Sequence, residues 1–396
     1  MLFQIRRFAS ILFIGLVVAI TAYYFLAPLP LFNTLRRKSY DALFKIEYKL
    51  RRPPSAMKDI LLVVIDNYTL KNMPERWPYS RATFAKVVEN LKKAEAKAIA
   101  FDFVFWGQTN PEEDTALSKI LAEGKVILPS LINENGLIEF SNLAGSSTAF
   151  DSGVVTKIQD EDGITRRSLL YIVNEKDPLK GILSWEMQLL RAVRSFDPAT
   201  MIHDEDTLSF KNNAGEEWRI PVDPATKTFS IHFRARAFDF QRVSFLRVLN
   251  GDFYPNQIKD KIVIMGTLSS LFGDLHRTPI DWLPGVVLNA NAFLNLYTHD
   301  FFKNISSRIE FYAMLLGVFL SSLFVTGFRL RNALGLILFE ILLILLTTYA
   351  LLVRGYFWNY LFTSILILLC PLAAKIIRRI FSSAIKKHWG QERTRG

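Results

Sequence analysis

Cysteine is almost absent from this chain of 396 residues, and its single copy, Cys370, lies inside a long apolar run. A chain with one cysteine cannot form an internal disulfide, so a large exported domain must be held together by its hydrophobic core. A chain of this length can bury such a core. The sequence therefore excludes a secreted scaffold that depends on disulfides.

Signatures of catalysis and of metal binding are absent too. The sequence contains no GxxxxGK[ST] phosphate loop, no GxGxxG fingerprint, no GxSxG elbow and no HExxH zinc helix. Histidine occurs only five times, at scattered positions. We therefore predict that the chain is not an enzyme and that it carries no cofactor and no metal ion.

Long apolar runs, in contrast, are abundant. Four of them reach the length of about 17–25 residues that a membrane-crossing helix needs, namely Phe8–Leu26, Ile309–Phe328, Ala333–Val353 and Phe357–Ala374. The alternative for the first run is a cleaved secretory signal. Its apolar stretch is longer than a usual signal core, and the following APLPLF lacks a small-x-small cleavage pattern, which favours an uncleaved anchor.

Basic residues cluster at the ends of these runs. They precede the first run, separate the second from the third and follow the fourth, so alternating spans would place all three clusters on one side. The positive-inside rule assigns that side to the cytoplasm. We therefore predict a multi-pass protein of the cytoplasmic (inner) membrane, with residues 1–7 and a basic tail, 375–396, inside the cell and a large domain, 31–307, outside. Because these clusters carry nearly all of the formal net charge of +11, that charge does not predict nucleic-acid binding.

The external domain shows alternating strand and helix patterns. Asp59–Asp66 is a β-branched run between polar residues, and Ser80–Ala96 has apolar residues at helical spacing. KAIAFDFVF, KVILPSLI and KIVIMGTL are further strand patterns, EEDTALSKILAE and ILSWEMQLLRAV are helical, and a helix is expected over Gly285–Tyr297. This order predicts an α/β domain with a mainly parallel sheet and flanking helices. In the less regular middle, EEWRIPVDPATKTFSIHF is typical of a strand hairpin.

Polar residues gather at or near the carboxyl ends of the predicted strands, where α/β sheets usually bind ligands. We predict a candidate ligand-binding pocket formed by Asp66, Arg81, Asp102, Thr267, Asp274 and Thr278. Asp102 lies within an apolar strand and needs a partner there, because a buried unpaired charge is costly, and we expect that partner to be Arg81. The alternative is an internal network that fixes the loops to the sheet, and spacing alone favours this alternative.

Glu340 lies deep inside the third apolar run, in GLILFEILLILL. An ionisable residue at that depth is by default a candidate for function. The alternative is a protonated carboxyl that bonds to a neighbouring helix through Ser321, Ser322 or Thr326. Since the runs contain no second deep charge, a transport pathway has little support.

The basic tail combines an apolar stripe with surrounding bases in KIIRRIFSSAIKKHW. Such a segment can lie on anionic membrane lipid, continue the last span, or dock on a partner. Of these three, binding to lipid demands least.

The order of these segments resembles a known module. VVID, WPYSRATFAKVVENL, AKAIAFDFVF, EEDTALSKIL, GKVILPS, KDKIVIMGT and GDLHRTPIDWLPGVVLNANAFLNL follow one another between one leading and three closing spans. The arrangement is similar to the type-two CHASE domain, an extracellular sensory module associated with bacterial adenylate cyclases, histidine kinases and other signalling outputs. The resemblance covers residues 31–374. It implies a sensory domain outside the membrane, and it assigns no ligand to the pocket residues.

Members of that family usually carry an output domain after the last span, whereas this sequence ends about twenty residues later. We therefore expect a sensor or receptor subunit of a bacterial signal-transduction system. It would bind an unknown small molecule or envelope ligand and relay to a separate cytoplasmic signalling protein, and homodimerisation is expected by analogy with membrane receptors. The alternatives are an envelope scaffold that binds partners, a truncated cyclase or kinase, and a transport accessory that depends on Glu340.

Overall fold

A computed structural model gives the architecture and describes residues 2–26, 28–107, 109–133, 135, 137–141, 151–174, 177–358 and 360–393. The chain divides into two compact units. Residues 1–43 and 302–396 make up one of them, which we call the helical unit. Residues 44–301 make up the other, which we call the α/β unit.

The helices and strands follow in chain order. The helices are α1 (Leu2–Leu26), α2 (Pro30–Leu50), α3 (Asn67–Asn72), α4 (Arg81–Lys93), α5 (Pro111–Ala122), α6 (Trp185–Arg194), α7 (Phe245–Asn250), α8 (Gly285–Thr298), α9 (Ser307–Gly327), α10 (Leu330–Val353) and α11 (Tyr360–Arg393). The strands are β1 (Ile60–Ile65), β2 (Ala98–Phe101), β3 (Val126–Ile132), β4 (Ile138–Phe140), β5 (Asp151–Val154), β6 (Lys157–Gln159), β7 (Thr165–Leu169), β8 (Tyr171–Asn174), β9 (Asp177–Leu183), β10 (Ile202–His203), β11 (Thr207–Lys211), β12 (Glu217–Pro221), β13 (Thr228–Ser230), β14 (Gln241–Ser244), β15 (Ile262–Thr267), β16 (Leu275–Arg277), β17 (Trp282–Pro284), β18 (Lys303–Asn304) and β19 (Tyr356–Phe357).

A seven-stranded sheet forms the centre of the α/β unit, in the order β14-β1-β15-β2-β3-β4, with β5 also paired to β3. Every pairing in it is parallel except that of β3 with β4. All six residues of β1 are buried, as expected for a strand covered on both faces. The prediction of a sheet with flanking helices is confirmed, and the sheet itself is mixed.

Helices cover both faces of this sheet. Leu61, Val63 and Met265 point to one face, where they share a hydrophobic core with residues of α4, α5 and α7. Side chains alternate along a strand, so the fully buried Leu62 and Ile264 point to the other face. There α8 contacts β15, and α6 contacts β2 and β3.

The predicted strand hairpin in the middle of the unit is wrong. β12 pairs with β11 in one antiparallel sheet, whereas β13 pairs with β7 in another. A single bridge between Asp223 and Thr228 joins the ends of the turn between them. Periodicity identified the two strands, but it could not show that β12 pairs with the strand just before it and β13 with the much earlier β7.

The helical unit contains four helices that are long and apolar enough to cross a membrane. Their qualifying segments are Ala9–Leu26, Ser307–Gly327, Leu330–Val353 and Tyr360–Ser383. Apolar residues from all four helices share one core, including Ala19, Val318, Ile337 and Ile367. The prediction of one N-terminal and three C-terminal apolar helices is confirmed.

Two connections of the helical unit form a short parallel ladder. β18, just before α9, pairs with β19, between α10 and α11. Lys303 N donates to Gly355 O over 2.8 Å, and Ile305 N donates to Phe357 O over 2.9 Å. The ladder places these two connections at the same end of the helices, as alternating spans require. At the other end of the last span, α11 continues without a break to Arg393, so the basic tail extends it as a helix.

Candidate functional site

The carboxyl ends of β2 and β15 border a reversal in the order of the sheet. α4 and α5 follow β1 and β2 on one face, whereas α8 follows β15 on the opposite face. Such a reversal opens a crevice outside the carboxyl ends of the strands, the usual position for ligands of α/β sheets. Four polar residues meet there, which we call the acidic cluster: Asp102, Asp274, His276 and Asn289.

Two glycines bring α8 close to this edge of the sheet. A Cβ atom added to Gly266 in β15 would lie 2.6 Å from Cβ of Val286. A Cβ atom added to Gly285 would collide with the side-chain carboxylate of Asp274. Gly285 N also donates a 3.1 Å hydrogen bond to the backbone carbonyl oxygen of Asp274. This close approach allows Asn289, one turn along α8, to reach Asp102.

Asp102 is the most perturbed carboxyl group of the cluster. Its Oδ1 accepts a hydrogen bond from Asn289 Nδ2, whereas its Oδ2 is buried and has no partner within the described part of the chain. Burial, together with the charge of Asp274, raises the pKa of Asp102 well above its ordinary value, against opposing effects of Lys157 and Asn289. A cation or donor that reached Oδ2 would remove much of this penalty.

Asp274 and His276 form the outer side of the cluster. His276 Nε2 lies 2.9 Å from Asp274 Oδ1, and the two side chains are 26% and 40% exposed. His276 belongs to β16, which pairs with β17 just before α8 begins. Because Oδ2 of Asp102 is buried and the side chain of Asp274 is partly exposed, the cluster connects the edge of the sheet to solvent.

A buried ion pair lies within electrostatic range of Asp102. Glu186, at the start of α6, pairs with Lys157 and accepts a 3.1 Å hydrogen bond from Ser168 Oγ. Glu186 is fully buried, and its Oε2 has no partner among the residues described. Sequence reasoning missed this pair. The available signal was Glu186 itself, an acidic residue between Trp185 and Met187 on the apolar side of an amphipathic helix.

The acidic cluster and this pair contain more acceptors than donors. Oδ2 of Asp102, Oδ1 of Asn289 and Oε2 of Glu186 are all buried without partners in the described structure. Such atoms cost about 1–3 kcal/mol each when they are left unsatisfied. Across the same residues, no group of three or more His, Cys, Asp or Glu side chains has an arrangement that could hold a metal ion. The arrangement therefore suits a ligand that brings N–H or O–H donors.

Asp66 and Arg81 lie in local structural networks instead. Asp66 is the N-cap of α3, where its Oδ1 accepts from Thr69 N at 2.8 Å and from Ser244 Oγ at 2.9 Å. Arg81 pairs with Asp114, 3.2 Å away, so the expectation that it pairs with Asp102 is wrong. Arg81 also donates to two loop carbonyls and thereby ties the start of α4 to the start of α5.

Thr267 and Thr278 take different positions again. Thr267 ends β15, where it pairs in register with Ile65. Thr278 is buried in the turn between β16 and β17, and its hydroxyl donates to Asp281 O over 2.6 Å. Of the six predicted pocket residues, the structure thus brings Asp102 and Asp274 together, and ligand binding by any of them stays a prediction.

Glu340 lies in α10 of the helical unit, against α9. A Cβ atom added to Gly317 of α9 would come within 3.1 Å of Glu340 Oε1, and Glu340 Oε2 is buried without a partner in the described helices. Ser321, Ser322 and Thr326 donate to carbonyls of their own helix. A protonated Glu340 bonded through one of these hydroxyls was the alternative, but no such bond is present in the described helices. A function for Glu340 stays a prediction.

A family model of the CHASE2 domain matches residues 13–324. The chain belongs to the CHASE2 domain family. The match extends from the first candidate span through the α/β unit to the second candidate span. CHASE2 is a sensory domain, so the resemblance noted from the sequence is confirmed. No curated protein and no solved structure matches the chain.

Two asparagines of α8 hold an irregular segment of the CHASE2 domain in place. Residues 231–235 are buried but belong to no strand. Asn295 accepts from His232 N at 2.8 Å and donates to His232 O at 3.0 Å. Asn291 accepts from Arg234 N at 2.8 Å and donates to Ala235 O at 2.8 Å. Four helical residues rise about 6 Å and two extended residues about 6.6 Å, so the asparagines match the segment as a neighbouring strand would.

The side chains of this segment form what we call the buried ion network, together with Glu47 of α2 and Asp300 after α8. His232 lies between the two carboxylates, with Nε2 2.8 Å from Glu47 and Nδ1 3.0 Å from Asp300. Arg234 donates to Asp300 at 2.6 Å and to Glu47 at 3.1 Å. Carboxylates only accept, so a His232 that makes both bonds donates from both nitrogens and carries a positive charge.

The buried ion network keeps its carboxylates ionised. Burial alone would raise the pKa of Glu47 and of Asp300, but the hydrogen bonds and charges of His232 and its neighbouring arginines outweigh burial and lower both. Sequence reasoning missed the network, because the four residues are up to 253 positions apart and no motif links them. The one signal was Glu47 on a helix that is otherwise rich in exposed charge.

Proposed function

We propose that the chain is a membrane-anchored sensor of a bacterial signal-transduction system. In this proposal the CHASE2 domain lies outside the cytoplasmic membrane, binds a ligand at the acidic cluster and relays its state to a separate cytoplasmic signalling protein. The family match and the four apolar helices support a membrane sensor. The observation that carries the ligand site is the set of buried acceptors without partners on Asp102 and Asn289.

The ligand of this site is a small molecule with N–H donors and a positive charge, such as a protonated amine. The unpartnered atoms of Asp102 and Asn289 are acceptors. A cation beside Asp102 would also favour its ionised form, which burial and Asp274 disfavour. Asp274, being partly exposed, provides the route from solvent.

α8 is the element that relays the bound state. Asn289, near its start, bonds to Asp102, and Asn295, near its end, bonds to the segment that carries His232. A ligand that bonds to Asp102 either displaces Asn289 or strengthens the bond between Asn289 and Asp102. In both cases it changes which position of α8 is most stable. The ligand can shift the equilibrium between two positions of α8 only by the difference in its binding free energy to them.

A thermal-shift screen tests the ligand site. The full chain in detergent is unfolded in the presence of a panel of alkylamines and guanidines, with neutral amides for comparison. We expect some cations to raise the unfolding temperature of the wild type and of Asp66→Asn, in which asparagine still caps α3, but not that of Asp102→Asn. Equal shifts in all three proteins would remove the acidic cluster as the site.

Crosslinked co-purification from native membranes tests the relay. The full chain is compared with a chain that ends at Arg379. Retrieval of cytoplasmic cyclase-, kinase- or phosphatase-type proteins by the full chain alone is the expected result. Retrieval of envelope proteins equally by both chains would contradict the relay and favour a scaffold.

A further inference from the structure

A small basic cavity lies beside the buried ion network, within the α/β unit. Its volume is about 270 Å³, and its lining includes Arg51, Arg52, Arg234, His299 and Asp300. Three arginines therefore line this space, and among the described residues that line it Asp300 alone is acidic. This balance of charge is the reverse of that in the acidic cluster.

The donors of this cavity are largely unused. Arg51 uses Nη1 to donate to Glu47 at 2.8 Å, and Arg234 uses Nε and Nη1, which leaves its Nη2 available. Arg52 is exposed and has no ion-pair partner within the described ranges. Asp300, in contrast, is engaged through both oxygens, by His232 and by Arg234.

We propose that this cavity binds an oxyanion of the phosphate type. A guanidinium group presents paired N–H donors in a planar fork that matches two oxygens of a phosphate group, and three arginines line this cavity. The volume lies at or below the lower end of the usual range for ligand pockets, about 300–1,000 Å³. It therefore suits one phosphate group with a small substituent rather than a nucleotide.

An oxyanion at this position acts on the buried ion network. Arg51 and Arg234 both donate to Glu47, so a bound phosphate group competes with Glu47 for the same two cations. Oxyanion binding is thereby linked to the strength with which the end of α2 is held. This site is independent of the acidic cluster, and it stands even when no amine binds to Asp102.

Titration with inorganic phosphate tests the proposal on the full chain in detergent. We expect saturable binding by calorimetry that weakens about tenfold or more in Arg52→Gln, because one charge-assisted hydrogen bond is lost. Arg76→Gln is the matched control, since Arg76 is also exposed and lacks an ion-pair partner in the described structure. Absence of phosphate binding in the wild type, or equal affinities in the two variants, would overturn the proposal.

A repeat of the titration in nanodiscs separates two sources of the phosphate group, a soluble anion and a lipid headgroup. The chain runs from Asp300 into the candidate span α9 within seven residues, which makes a lipid headgroup the second source to test. Binding that persists in discs with phosphatidylglycerol supports a soluble anion. Binding that is lost there but kept in discs of phosphatidylcholine alone supports an anionic lipid at the same arginines.

Discussion

The fold removes part of the Asp102 carboxyl group from water at a cost in free energy. One of its oxygens has a partner and the other does not, and a second carboxylate, Asp274, raises the cost of its charge. A residue of this kind lowers stability, and binding and catalytic sites commonly carry such a cost. Removing the charge of Asp102 should therefore raise the stability of the ligand-free protein.

Asp102→Asn should stabilise the ligand-free protein by about 1–3 kcal/mol at neutral pH, because a neutral amide removes the cost of burying an acidic group whose Oδ2 has no partner in the described structure. The raised pKa of Asp102 sets the sign: the folded state holds its proton to higher pH than the unfolded state, so stability falls as pH rises from about 4 toward the raised value. The variant should lose this decline. Thermal unfolding between pH 4 and pH 8 measures both effects.

Asp66→Ala is the comparison for that variant and should have the opposite sign. It removes the N-cap of α3 and should destabilise by about 1 kcal/mol. Destabilisation by Asp102→Asn as well would contradict the account given for the acidic cluster.

Glu47→Gln should destabilise the protein by about 1–3 kcal/mol at pH 7, because it removes one of the two buried carboxylates bonded to His232 and Arg234 and leaves them only Asp300. The pKa of Glu47 is lowered, so its contribution is present above the ordinary carboxyl value of about 4 and is lost as pH falls. The variant should therefore show a weaker dependence of unfolding temperature on pH between 5 and 3. Glu89→Gln, which removes a carboxylate exposed to solvent, should leave both quantities nearly unchanged.

Sequence reasoning identified individual polar residues more readily than their partners. Asp66 was placed correctly at the end of a strand, because a polar residue that ends an apolar run is a local signal. Asp102 was expected within a strand, but β2 ends at Phe101 and Asp102 follows it. The partner of Arg81 was wrong, because Asp114 is 33 residues away and belongs to another helix. Which of several carboxylates an arginine meets is decided by tertiary geometry, and one sequence does not contain it.

At the scale of elements, α8 connects Asp102, at the end of β2, to the irregular segment 231–235. All but its last residue are buried, which is unusual for a helix with three asparagines. Each asparagine bonds to a defined partner, which is Asp102 for Asn289, the backbone at Arg234 for Asn291 and the backbone at His232 for Asn295. Of the three, Asn289 keeps an amide oxygen without a partner in the described structure. These amides make the helix specific in position as well as stable.

Asn295→Leu should destabilise the α/β unit by about 2–4 kcal/mol, because it leaves both backbone groups of His232 buried and unsatisfied. Chemical unfolding followed by tryptophan fluorescence measures the loss. Asn72→Leu is the control, since Asn72 is exposed and donates only to Tyr68 O in its own helix, so it should change stability by less than about 0.5 kcal/mol. Equal effects would show that the backbone of His232 is satisfied in another way.

Elements with strong periodicity were predicted well. β1, α4, β3, β15 and α8 all lie within a few residues of their predicted bounds, because buried strands and amphipathic helices carry their burial pattern in the sequence. The hairpin after β12 was wrong, and the irregular segment 231–235 was not foreseen. Both depend on which distant backbone offers hydrogen bonds, and such partners leave no periodic signal.

At the scale of the whole molecule, the orientation in the membrane is a prediction from basic residues alone. Cysteine labelling tests it, because Cys370→Ser gives a background free of cysteine. Arg76→Cys in the α/β unit should react with an impermeant maleimide in intact spheroplasts. Asn332→Cys, in the first turn of the third candidate span, should react only after lysis. Both positions are exposed, so reactivity reports the side of the membrane, and the reverse pattern would invert the topology.

The ladder between β18 and β19 has a mechanical consequence. A pull applied to the chain at Phe302 loads the hydrogen bonds at Gly355 and Phe357 in shear, along the direction in which two parallel strands resist best. The force then acts on α9 and on the connection between α10 and α11 at the same time, because the ladder joins these two segments. In a single-molecule pulling experiment we expect the β18–β19 ladder to break first. The three C-terminal helices would then unfold together and not one after another.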